Sequence, residues 1–169
     1  MDRLTAVMVR LSLVWLLTGF IIGGAMLVDR AIPGEWRAWL APSHGHMLFV
    51  GWFLQFALGI AYWLLPRKRL PERPTGYQER PAFFVVGALN IGLLLRVGSE
   101  PWERMGHTSN LTLTALAASA TLQVLAAAIF VGQLWPRVAP RTRPNHPATP
   151  TSAPARGKSF LPPSKEKST

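Results

Sequence analysis

Cysteine is absent from the 169 residues. That excludes disulfides, covalent attachment of a c-type heme, thiolate-held iron–sulfur clusters and any copper site built on cysteine. Acidic residues are scarce: eight Asp and Glu stand against eighteen Lys and Arg, and none falls inside the long apolar runs described below. A hydrolase built on paired carboxylates has no material there, and a cation carrier lacks the buried anions that would hold its cargo. No phosphate-binding glycine loop, dinucleotide fingerprint or nucleophile elbow is present. Metal chemistry in this chain would run through His, Met, Tyr or carboxylates.

What the chain has in abundance is apolar length. Four runs, about 8–28, 46–65, 82–98 and 110–135, each approach the ~20 residues that cross a bilayer as a helix. None carries a polar stripe broad enough for a soluble bundle. The expected fold is all-α: a four-transmembrane-helix bundle over residues 1–135, with the lipid bilayer as its main partner. Residues 136–169 hold more than half of the fifteen prolines, with scattered Lys and Arg. They are expected to form a disordered, Pro-rich, basic cytoplasmic tail. Arg3 and Arg10 ahead of an apolar core give the first run a signal-peptide-like start. Its length and the lack of an A-x-A site predict a retained helix.

The net charge of +10 orients the protein instead of marking a nucleic-acid binder. Arg67, Lys68, Arg69, Arg73 and Arg80 lie between the second and third runs, Arg3 and Arg10 at the start, and Arg137, Arg141 and Arg143 after the last run. The other two loops are poorer in basic residues. By the positive-inside rule both termini are expected in the cytoplasm of a multi-pass protein, in a bacterial-type inner membrane.

The second run carries the chemistry: SHGHMLFVGWFLQFALGIAYWLLPRKR, from Ser43 to Arg69. Pro42–Ser43 is expected to start its helix, with Ser43 as N-cap. At 100° per residue His44, Gly51, Gln55 and Tyr62 fall on one face, small and polar in an otherwise Leu, Phe, Trp, Ile and Val helix. Such a face belongs in the bundle interior. His46, two residues on, points nearly the other way and reads as an interfacial histidine or an alternative ligand. His107, before the fourth run, reads either as a ligand at the depth of His44 or as an ordinary turn residue. As ligands, His44 and His107 could hold a b-type heme between two helices. Gln55, Asn90 and Gln123, near mid-span, are expected to bond one another across helices. Arg96 either snorkels to phosphate or meets a heme propionate. Gly19 and Gly23 form a small-xxx-small pair that admits a neighbouring helix.

The second run resembles helix two of the heme–copper oxidase subunit I superfamily, which includes cytochrome c oxidase and the nitric-oxide reductase large subunit. The resemblance rests on His44, Gly51–Trp52, Gly59, Tyr62–Trp63 and Pro66–Arg67, about 25 residues. It implies a short, four-helix relative in which His44 is an axial ligand of a low-spin heme. Electron transfer, or an accessory role in a respiratory chain, follows as the expected function, with other respiratory subunits or a second copy as partners. The later-helix heme and copper ligands of that family are missing, so a complete oxidase is not expected. Two other readings stand beside it: a cofactor-free structural or assembly subunit, and a homo-oligomeric metal or small-solute carrier with the histidines at its mouth.

Overall fold

The computed structural model describes residues 1–28, 35–65 and 76–138. The expected tail from residue 139 onward, and the basic cluster Arg67–Arg73, lie outside these. Among the described residues the chain is all-helical, without strands, and has four helices long and apolar enough to cross a membrane.

The first, α1 (Arg3–Val28), starts where Asp2 Oδ1 accepts the Thr5 N–H at 3.0 Å, satisfying one of the orphan donors of a helix N-terminus. The second spans Trp36–Leu64 and has three parts: α2 (Trp36–His46), a π-helical segment (Met47–Leu54) and α3 (Gln55–Leu64). The third is α4 (Glu79–Arg104) and the fourth α5 (Asn110–Val138). Outward faces carry Leu13, Leu17, Phe20, Ile21, Phe49, Phe53, Leu94, Leu113 and Val124, all well exposed, as bilayer contact requires. The four helices therefore make a multi-pass membrane protein.

The second span does not begin where Pro42–Ser43 suggested. Pro42 lies inside α2, six residues after its first residue Trp36. Within a bundle a proline is tolerated in a helix when neighbours take up the freed backbone groups. Ser43 is accordingly no N-cap: it is buried, and its hydroxyl points to Val97 O of α4 at 3.5 Å. Pro101, four residues after Val97 and also inside its helix, explains why that carbonyl is free, since proline brings no N–H to it.

The π segment sets the register of the span. There the Gln55 N–H reaches Val50 O as well as Trp52 O, and i→i+5 bonding widens each turn. Strict four-residue spacing then stays on one face: Ser43, Met47, Gly51, Gln55 and Gly59 are all buried, followed by Tyr62. His44 is half-buried, one position off this line. A 100° wheel fails at this point because it assumes unbroken α geometry.

Helix α1 packs along the second span, which also packs on α4, and α5 packs on α4. Trp15, Met47 and Leu93 form the core near the histidines, and Leu4, Met8, Tyr62, Tyr77, Ala82, Val86 and Leu134 form the core at the opposite end. At that end α5 continues past residue 135 to Val138, so Pro136 and Arg137 are helical. Arg137 is buried and donates from Nη2 to Leu65 O at 2.5 Å and Tyr62 O at 3.2 Å. The sequence places Pro66 next, which pushes Leu65 into an extended conformation (ψ 143°) and leaves the last carbonyls of α3 open. Arg137 closes them. Arg137→Met should destabilise the bundle by about 2–3 kcal/mol, since charge-assisted bonds to buried carbonyls are lost. Thermal unfolding in detergent would register this as a clear fall in Tm, and an unchanged Tm would contradict it.

Candidate functional site

His44 faces α1. Its Nδ1 lies 3.0 Å from Gly19 O. A carbonyl can only accept, so Nδ1 carries a proton, and in the neutral ring the lone pair is then on Nε2. One turn further along α1 is Gly23, where a Cβ would come within 2.6 Å of His44 Cε1 and 3.3 Å of both ring nitrogens. The imidazole thus lies directly against the Gly23 backbone, and the missing side chain is what admits it. The Gly19/Gly23 pair does bring a neighbouring helix close, as its spacing predicts, and it also cradles one ring. Nε2 has no hydrogen-bond partner among the described residues.

His46 faces α4 instead. Its Nδ1 is 2.7 Å from Pro42 O and 3.6 Å from Glu100 Oε2. Glu100 is also 3.7 Å from Arg96 Nε and 3.9 Å from Arg104 Nη2, so one largely buried carboxylate serves three basic side chains. Arg96 therefore meets a carboxylate of its own helix. His44 and His46 are turned to different helices, as their two-residue separation on a regular helix requires, and they form no H-x-H chelate.

His107 is exposed in the turn between α4 and α5, its ring 5.7 Å from that of Trp102. It lines an open cavity of about 580 Å³ with Ser99, Trp102, Thr108, Ser109 and Thr112. His44 and His46 do not line this cavity. The contacts of His44 and His107 thus lie on different helices, α1 and α4. Among the described residues no three His, Asp or Glu converge on a metal-sized space. The donor set fits ligation by one imidazole with a fixed proton, which is what an iron porphyrin takes on one face. A second imidazole on the opposite face is not assembled beside His44.

The mid-span amides do not bond one another. Asn90 Oδ1 accepts from the Trp15 indole N–H at 2.8 Å, Gln123 Nε2 donates to Ser119 Oγ at 3.4 Å, and Gln55 Nε2 donates to Met8 O at 3.3 Å. Each has a partner on its own or another helix, and none of those partners is an amide side chain. Gln55 and Tyr62 are both fully buried on the interior face of the second span. Trp15, Glu100 and Arg137 are the residues that sequence reasoning did not single out. A glutamate four residues from an arginine on either side was the available signal for Glu100. No protein-family model, curated protein or solved structure matches the chain.

Proposed function

We propose that this is a bacterial-type inner-membrane protein, with both termini cytoplasmic, that holds a b-type heme through His44 near its outer face. The orientation rests on the concentration of Lys and Arg in the segment between the second and third spans and at both ends of the chain. The observation that carries the heme reading is the Nδ1–H bond of His44 to Gly19 O. A backbone carbonyl that fixes one ring nitrogen leaves the other as a preformed ligand. The likeness of the second span to helix two of the heme–copper oxidase subunit I superfamily supports the same residue. Bound heme would supply one-electron transfer, placing the chain in electron transport or as a respiratory-chain accessory.

In this reading Gly19 orients the ring and Gly23 makes room for it. His46 is turned to Glu100 and His107 to Trp102, so a second copy or another respiratory subunit would supply the remaining wall of the site. The outward faces leave room for such a partner. In α5 only Ser119, Ala126, Leu134 and Arg137 are buried. That same observation favours a second reading, a cofactor-free structural or assembly subunit that offers α5 to a larger complex.

Titrating hemin into the detergent-solubilised chain separates the two. The heme reading predicts a saturable Soret shift with a fixed ratio of heme to protein. A rise that never saturates, matching detergent alone, would leave the structural reading.

A further inference from the structure

The half of the α1–second-span seam nearer Tyr62 holds three enclosed polar atoms that lack partners. Among the described residues Thr5 Oγ1, Gln55 Oε1 and Tyr62 Oη form no hydrogen bond, although all three residues are 0% exposed. Gln55 and Gly59 meet the Thr5–Met8 stretch of α1, and Tyr62 follows on the same face of the second span. Gln55 Nε2 donates to Met8 O at 3.3 Å. A Cβ on Gly59 would lie 3.0 Å from Met8 Cβ and 3.8 Å from Thr5 O, so Gly59 faces the turn of α1 that carries Thr5. Tyr62 shares a buried cluster with Leu4 and Met8, its ring 5.1 Å from that of Tyr77 and 5.4 Å from that of Phe130. Gly59 sits between Gln55 and Tyr62 on their common buried face and fills none of the intervening space.

Nearer the histidines, the fully buried polar side chains of α1 are paired, and His44 is held through Nδ1. Ser12 Oγ donates to Val9 O at 2.8 Å, the Trp15 indole to Asn90 at 2.8 Å, and His44 Nδ1 to Gly19 O at 3.0 Å. The buried unsatisfied atoms of α1 and the second span thus lie in the half nearer Tyr62. Buried polar atoms persist in a fold when something satisfies them. Gln55 Oε1 can only accept, whereas the Thr5 and Tyr62 hydroxyls donate and accept. An ion would find no neutralising charge among these three groups. Water both donates and accepts, and two to four polar partners suffice to hold it.

We propose that this half of the seam is a water-binding site, bounded by Gln55 Oε1, Thr5 Oγ1 and the Tyr62 hydroxyl. It would bring exchangeable protons into the interior of the membrane domain. The site is independent of any heme at His44.

The test uses the full chain in lipid and begins with the wild type. Water-edited solid-state NMR should transfer magnetisation from water to the Gln55 carboxamide, and Thr5→Val should lose or strongly weaken that transfer. Thr5→Val should also lower Tm, because it removes a ligand of a bound water. A dry seam gives the opposite sign: exchanging an unpaired buried hydroxyl for a methyl of the same shape leaves Tm unchanged or raises it. No water transfer to Gln55 in the wild type, or a neutral or stabilising Thr5→Val, would overturn the proposal.

Discussion

Gly51→Leu should leave almost no folded protein. A single Cβ at this position would come within 2.6 Å of Trp15 Cγ and 2.8 Å of both Trp15 Cβ and Leu93 Cδ2. Two of those atoms sit at the root of the Trp15 side chain, so rotating a flexible end cannot relieve the clash. Trp15 is further held by its bond to Asn90, and Leu93 is completely enclosed. Helix α1 would have to back away from the second span. Even alanine, which gains about 1 kcal/mol of helix propensity over glycine, faces an overpacking cost of about 1–3 kcal/mol or more. Gly51→Ala should therefore be destabilising on balance. Leucine adds three further carbons to a core with no room for the first, against a total stability on the order of 5–15 kcal/mol. Gly45→Ala is the matched control, since nothing lies within 4 Å of its Cβ. Size-exclusion profiles and thermal melts of the three variants in one detergent check the prediction. A monodisperse Gly51→Leu protein with a near-native Tm would contradict the packing described.

His44→Ala should remove nearly all bound heme while leaving the helices intact. Among the described residues the ring's only hydrogen bond is to Gly19 O, a carbonyl within α1 that the helix itself can satisfy, so little stability depends on it. Gly23→Val is the sharper variant. It leaves every histidine in place but fills the space the imidazole occupies, where a Cβ alone would come within 2.6 Å of Cε1. Both variants should fall to a small fraction of wild-type heme content, measured against protein by pyridine hemochrome. His46→Ala should retain heme, because His46 is turned toward Glu100 and Pro42. Full heme content in His44→Ala would exclude it as the ligand.

Much of the architecture was legible in the sequence because bilayer crossing imposes a length, and length needs no knowledge of tertiary contacts. The four apolar runs give four helices, each extending beyond its run where charged or polar residues carry the helix on, as Glu100 and Arg104 do in α4. Registers were less legible. The wheel that grouped His44 with Gly51, Gln55 and Tyr62 could not anticipate the π segment, which brings Ser43 and Met47 into that line instead. Helix starts misled as well, since Pro42 looks like a boundary until Val97, Pro101 and Ser43 are seen together.

At the site, His44 stood out because a histidine at the end of an apolar run is costly without a purpose. Its cradle was half visible: the Gly19/Gly23 spacing announced close approach but not what approached. Partner choice for Asn90, Gln123 and Gln55 was beyond reach, because one sequence does not say which helix face meets which. Arg137 was hidden for a different reason. Its neighbours Pro136 and Arg141 have the composition of a tail, and only the open carbonyls of Tyr62 and Leu65 explain why α5 continues to hold it.

The most direct measurement is a reduced-minus-oxidised visible spectrum of the full chain, purified after expression with ample heme. The account predicts sharp α and Soret bands at a constant heme-to-protein ratio, lost in His44→Ala. A colourless protein that is still folded and helical would contradict it.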